Sequence, residues 1–191
     1  MQIGKIFKKI NKTYKPHNFS GISFKSKECK KGDIFFAIKG NKINAEQFIK
    51  NAINNGAKTI VSKKKYQGLN NNILYLQSKN PRKALSESAA KLFKKKPDNL
   101  VAVTGTNGKS SVANFYYQIL KLNKIKVAAI GTLGIYYNNK FIKARNTTAD
   151  PITLNKLLKN IKKSGVNNVI MEASSHGLKQ NRLDGIKFNT G

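Results

Sequence analysis

Cysteine occurs once in the 191 residues, at Cys29, which excludes an internal disulfide framework and any Cys-cluster metal site. A lone cysteine fits a reducing compartment. Tryptophan is absent, arginine occurs three times, and acidic residues number 8 against 37 basic ones. No apolar run approaches the ~20 residues of a membrane-spanning helix. The basic N-terminus, Met1 to Tyr14, lacks the apolar region and small-residue cleavage signature of a secretion signal. These absences lead us to expect a cytoplasmic chain with no membrane partner.

The scarcity of arginine also bears on the one large excess, a formal net charge of +29. Phosphates attract basic residues, so such a charge invites a nucleic-acid reading. Yet the lysines are scattered, clustering only at 63–65 and 94–96, and arginine is the residue suited to bidentate contacts with guanine and phosphate. Lys, Asn and Ile are abundant together (34, 24 and 20), the bias expected of an AT-rich coding sequence. A solvated lysine-rich surface is preferred and no nucleic-acid partner is expected. A basic nucleic-acid-binding module stays as the rival from a different class.

Apolar residues make up 39% of the chain and recur along its length, which argues for folded structure throughout. Ile3, Ile6, Phe7 and Ile10 predict an amphipathic helix over 3–10. Strands are expected at 33–38, 59–61 and 73–76, with helices over 45–55, closed by Gly56, and from Asn80-Pro81 onward with a stripe of Ala84, Leu85, Ala89 and Leu92. This alternation predicts a small α/β domain over 1–94. The polar stretch 94–99 (KKKPDN) reads as a boundary, and a second α/β unit over 98–191 follows. Its expected elements are strand 100–103, helix 109–122, strand 127–130, a long connection over 131–150, helix 152–163 and strand 169–171.

Three clusters carry chemistry. Thr104-Gly105-Thr106-Asn107-Gly108-Lys109-Ser110-Ser111 lies between a predicted strand and a predicted helix. Glycines there let the backbone curl around phosphates, while loop N–H groups and the helix N-terminus supply oriented donors. Lys109 would reach the terminal phosphates and Ser110 would ligate Mg²⁺. The loop departs from G-x-x-x-x-G-K-[ST], because Val103 stands at the first glycine position. Glu172, at a strand end before Ala173-Ser174-Ser175-His176-Gly177, reads either as a Mg²⁺ ligand or as a helix-capping carboxylate. With only eight acids in the chain, metal binding is preferred. Ser–His nucleophilic catalysis is rejected at this point because neighbouring residues of an extended segment face opposite ways. The third cluster, 145–151 (RNTTADP), reads as helix capping by Thr148 or Asp150, as a polar grip on an anionic substrate, or as both.

Together, TGTNGKSS, NTTADP, MEASSHGLKQNRLDGIKF and the earlier stretch 29–40 (CKKGDIFFAIKG) resemble the Mur ligases over nearly the whole chain. The resemblance implies an N-terminal UDP-binding α/β domain followed by the first part of a P-loop, Rossmann-like central ATPase domain, with a C-terminal ligase domain lying outside the sequence. It implies an ATP-dependent ligase of peptidoglycan synthesis. Such an enzyme adds meso-diaminopimelate or lysine to UDP-MurNAc-L-Ala-D-Glu through an acyl phosphate. This stretch alone is expected to lack turnover and to be monomeric. The loop sequence is shared with folylpolyglutamate and cyanophycin synthetases, the nearer rivals. By resemblance, Gly105, Thr106, Asn107, Gly108, Lys109, Ser110 and Ser111 bind ATP, with Lys109 catalytic, and Ser110 and Glu172 hold Mg²⁺. Asn146, Thr147, Thr148, Ser174, Gln180 and Arg182 would bind the UDP-MurNAc-dipeptide, and Phe24, Ser26, Asn41, Lys42 and Ile43 its uridine-diphosphate end. Lys25-Ser26-Lys27 stands where the family usually has Asp-Ser-Arg, and Ala149 where proline is usual.

Overall fold

The structure is a computed structural model that describes all residues except Lys9, 41–44 and Arg145. The chain divides into two compact units, Met1–Leu92 and Phe93–Gly191.

The first unit contains β1 (Ile22–Ser23), β2 (Ile34–Phe36), α1 (Ile49–Asn54), β3 (Thr59–Ser62), β4 (Gly68–Asn70), β5 (Ile73–Gln77) and α2 (Pro81–Leu92). The sheet order is β1-β2-β3-β5-β4, parallel except for the edge strand β4. A parallel sheet covered on both faces needs strands apolar on both sides. Accordingly Ile34, Phe35, Phe36, Ile60, Val61 and Leu74 are all buried. Phe35, Ile60 and Ala52 pack with Cys29 on the α1 face.

The expected helix over 3–10 is corrected to a single 3-10 turn, Ile3–Lys5. Ile3 and Gly4 donate their backbone N–H groups to His17 and Lys15 carbonyls, a long-range pairing that competes with extending a helix. The helix expected over 45–55 begins as a 3-10 turn, Ala45–Phe48, and becomes α-helical only at Ile49. In α2 the buried side chains are Pro81, Leu85, Ser86, Ser88, Ala89 and Ala90, so Ala84 and Leu92 lie at the margin of the stripe. Ser86 and Ser88 are tolerated inside because each hydroxyl donates to the carbonyl one turn back.

The second unit contains β6 (Asn99–Val103), α3 (Lys109–Leu122), β7 (Val127–Gly131), β8 (Gly134–Tyr137), β9 (Lys140–Ile142), α4 (Pro151–Lys163), β10 (Asn168–Glu172) and α5 (Ser175–Lys179). Its order is β6-β10-β7-β8-β9, with β6, β10 and β7 parallel. The connection expected over 131–150 is corrected: half of it is a hairpin, β8 and β9, turned by Asn138 and Asn139 at φ +46° and +59°. Two consecutive left-handed residues are what a two-residue type I′ turn requires, and asparagine tolerates them. On one face of the sheet Leu154, Leu158 and Ile161 of α4 bury against Val169, Met171, Ala128 and Ile130. On the other, Ala113 of α3 packs on Ile170 and Ala129. Because β10 lies between β6 and β7, with Glu172 in register with Val103 and Met171 with Ile130, three strands release their loops into one crevice.

Candidate functional site

Residues 104–108 leave β6 and turn into α3. Gly105 and Gly108 have φ +139° and +78°, conformations in which a β-carbon is strained, and nothing lies within 4 Å of where a Gly108 side chain would start. Gly108 is the N-cap residue and offers no side-chain acceptor, which leaves the first N–H groups of α3 without a side-chain cap. Uncapped donors beside an open glycine turn are suited to a phosphate. The Lys109 ammonium donates back to the Gly105 carbonyl (2.6 Å) and the Thr106 carbonyl (3.1 Å).

Glu172 ends β10 and is buried, with 2% of its surface exposed. Three donors hold it: Ser110 Oγ and the Thr132 backbone N–H, each 2.9 Å from Oε1, and Thr132 Oγ1, 3.0 Å from Oε2. Gly131 makes the room, since a β-carbon there would stand 2.1 Å from Oε1. Thr132 Oγ1 also meets Thr147 Oγ1 at 2.9 Å. Thr148, 1% exposed, donates to the Glu172 carbonyl, accepts from the Ser174 N–H at 3.0 Å and shares a hydrogen bond with Ser174 Oγ. Ser174 then caps α5 by accepting from the Gly177 N–H. Gly177 has no alternative at this approach: its β-carbon would lie 2.8 Å from Thr148 Cβ. A cavity of about 340 Å³ is lined by residues 106–111 with Thr132, Thr147, Glu172 and Ser174.

The structure therefore gathers the loop residues, Ser110, Glu172, Thr147, Thr148 and Ser174 around one crevice. Gln180 and Arg182 join through Thr148, whose carbonyl accepts from Arg182 Nη1. Asn146 is exposed beside them. Asp150, not Thr148, caps α4, accepting from the Ile152 and Thr153 N–H groups at 3.0 Å with Pro151 in the first turn. The extended geometry used to set aside Ser–His catalysis is also corrected: Ser175 and His176 lie in α5, and His176 Nε2 meets the Gln180 amide, not a serine. Sequence reasoning missed Thr132 and Gly131. Their signal was position, directly at the C-terminal end of β7.

Phe24 and Ser26 follow the end of β1 in the first unit. Phe24 is half-buried with the Lys25 ammonium 5.7 Å above its ring, and Ser26 opens a 3-10 turn whose carbonyl accepts from Asn55 Nδ2 at 3.0 Å. Asn41, Lys42 and Ile43 lie outside the described residues.

With that geometry in hand, residues 18–93 match the family described as Mur ligase family, catalytic domain, and residues 103–191 the Mur ligase middle domain. The chain is 39% identical over 184 residues to the UDP-N-acetylmuramoyl-L-alanyl-D-glutamate--2,6-diaminopimelate ligase of Rickettsia prowazekii, covering 94% of this chain and 38% of that protein. It is 41% identical over 172 residues to the ligase of the same name from Mesorhizobium japonicum, covering 90% and 36%. A solved structure of a UDP-N-acetylmuramoyl-L-alanyl-D-glutamate--2,6-diaminopimelate ligase superposes with a TM-score of 0.82 at 27% identity, over 98% of this chain and 39% of that one. A MurF ligase from Thermotoga maritima in complex with ADP shares the fold, with a TM-score of 0.52 at 23% identity over 81% of this chain and 32% of that one. The chain thus spans rather more than a third of the length of the relatives it matches.

Proposed function

Because the chain belongs to the Mur ligase family, we propose that it supplies the UDP-sugar-binding unit and the nucleotide-phosphate loop of an ATP-dependent ligase that extends UDP-MurNAc-L-Ala-D-Glu by one amino acid. The relatives' common name supports 2,6-diaminopimelate as that amino acid. The observation that carries the proposal is the crevice where Lys109, Ser110 and Glu172 meet Thr147 and Ser174.

In this reading the backbone donors of 105–111 hold the ATP phosphates, and Lys109 exchanges its loop carbonyls for the terminal ones. Ser110 and Glu172 suit Mg²⁺: both are hard oxygen donors, 2.9 Å apart, and Mg²⁺ takes few protein ligands while keeping waters and phosphates. Among the described residues no group of three or more His, Cys, Asp or Glu forms a larger cage. When bound, the ion neutralises charge developing on the transferred phosphoryl group. Thr147, Thr148, Ser174, Gln180 and Arg182, with Asn146, orient the dipeptide so that its terminal carboxylate takes the γ-phosphoryl group of ATP as ADP leaves, giving an acyl phosphate. The incoming amine then attacks the acyl carbon, forms the amide and releases inorganic phosphate. Phe24 and Ser26 serve the uridine end.

Titration calorimetry of the 191-residue chain tests this. Lys109→Ala should weaken MgATP binding roughly 10- to 100-fold, the range expected for lost charge-assisted bonds, and leave UDP-MurNAc-dipeptide affinity unchanged. An unaltered ATP affinity refutes the assignment of the loop.

A further inference from the structure

Hydrogen-bond chemistry beyond the phosphate loop fixes the state of a side chain that the proposed function leaves idle. Gln180 Oε1 accepts from Arg182 Nε at 3.1 Å and from Nη2 at 2.8 Å. A guanidinium only donates, so the carboxamide oxygen must face it and the amide NH₂ must face away. What the NH₂ faces is His176 Nε2, at 2.6 Å. An amide NH₂ also only donates. His176 Nε2 must therefore present its lone pair, which puts the ring proton on Nδ1.

We propose that His176 is a positioning residue: by accepting from Gln180 it locks the carboxamide in the one orientation that clamps Arg182 for an anionic group of the substrate. This rests on the ligase reading, in which Gln180 and Arg182 touch the dipeptide. A carboxamide free to rotate would spend part of its time with NH₂ toward the guanidinium, donor against donor, and the clamp would open. With the lock in place, Arg182 commits three of its five N–H groups, two to Gln180 and one from Nη1 to the Thr148 carbonyl. One on Nη1 and one on Nη2 remain for a carboxylate or phosphate oxygen. The same Thr148 holds Ser174 and the end of β10, so the relay fixes Arg182 to the crevice and not only to the turn that follows α5. His176 is itself exposed, and its replacement removes no core packing.

Two measurements on the whole chain test the role. Two-bond ¹H–¹⁵N correlation spectra of the imidazoles, recorded on the alkaline side of neutrality, should show His176 as the Nδ1–H tautomer; an Nε2–H tautomer overturns the proposal. The second histidine, His17, serves as the internal comparison. Calorimetry with UDP-MurNAc-L-Ala-D-Glu should then show His176→Leu weakened roughly 3- to 10-fold, the range of one neutral hydrogen bond. His176→Lys, which sets a donor against the amide, should bind more weakly still, and His176→Gln, which restores an acceptor, should bind within about 3-fold of the parent. ATP affinity should stay constant in all three. If the parent binds the dipeptide and the leucine and lysine variants bind it equally well, the role of His176 is overturned and the ligase reading survives. If the parent does not bind the dipeptide at all, the ligase reading falls and the substrate role of His176 with it.

Discussion

One carboxylate in each unit is buried, and the two sit at opposite ends of their sheets. Asp33, 6% exposed, immediately precedes β2 and accepts from the Lys30 N–H at 2.9 Å. Glu172, 2% exposed, ends β10 and accepts from Ser110 and Thr132. Each unit joins a parallel ladder to an antiparallel edge, with three of four strand pairings parallel in the first sheet and two of four in the second. In both, the edge hairpin turns on a pair of asparagines in the left-handed region, Asn71-Asn72 and Asn138-Asn139. The scaffolds match, and the difference lies in where the acid was placed. At a strand's N-terminal end a carboxylate can only organise its own turn; at the C-terminal end it stands in the crevice where ligands bind open α/β sheets.

Removing each acid sharpens that contrast most. Glu172→Gln should lower MgATP affinity by roughly 10- to 100-fold, with the melting temperature nearly unmoved because the amide can retain one acceptor. Asp33→Ala should instead cost about 1–3 kcal/mol of stability in denaturant titration, the cost of an orphaned backbone donor, with ATP affinity intact. The contrast breaks if Asp33→Ala impairs ATP binding as severely. A smaller effect is expected of Gly131→Ala. Its β-carbon would displace Glu172 from 2.1 Å, so overpacking of about 1–2 kcal/mol should appear together with weakened MgATP binding. Calorimetry that shows destabilisation alone would detach Gly131 from the site.

The smallest effect is alkaline and confined to the first unit. Burial, the largest cause, pushes the Cys29 thiol above its ordinary value, and the neighbouring Asp33 and Glu28 carboxylates push the same way, against a hydrogen bond with Ser23. The folded state therefore holds its proton more tightly than the unfolded state. The stability this supplies is full below the unfolded thiol pKa of about 8.5 and is lost as pH rises through the higher folded value. Melting followed from pH 7 upward should show that decline, and Cys29→Ala should remove it; a decline that persists in the variant assigns the alkaline loss to other groups. Reaction of the thiol with Ellman's reagent in the folded chain should be slow.

Much of this was legible in residue order. Helix α3 runs from Lys109 to Leu122 as its glycine entry predicts, and β10 and α4 match their expected bounds within a residue. Those elements carry a local signal: capping, glycine punctuation, a short β-rich run. The Mur ligase resemblance rested on the loops between them. What escaped was of two kinds. The β8–β9 hairpin hid in a stretch dense with asparagine and glycine, where an Asn-Asn turn looks like compositional background. The N-terminal 3-10 turn depends on pairing with residues more than ten positions away, which no local period reveals. Thr132 and Gly131 belong with the second kind. Their meaning comes from a carboxylate forty positions later, brought beside them only by the insertion of β10 between β6 and β7.

The resting contacts of Lys109 have a consequence for affinity. Its ammonium holds two carbonyl oxygens of its own loop, so an arriving phosphate does not meet a bare charge. It must evict existing partners, and what the lysine adds is the difference between two sets of oxygens. On the proposed phosphate role, any anion too weakly charged to win that exchange would be turned away. In a chain with 34 lysines, this resting engagement, and not positive charge alone, sets how Lys109 would discriminate among anions.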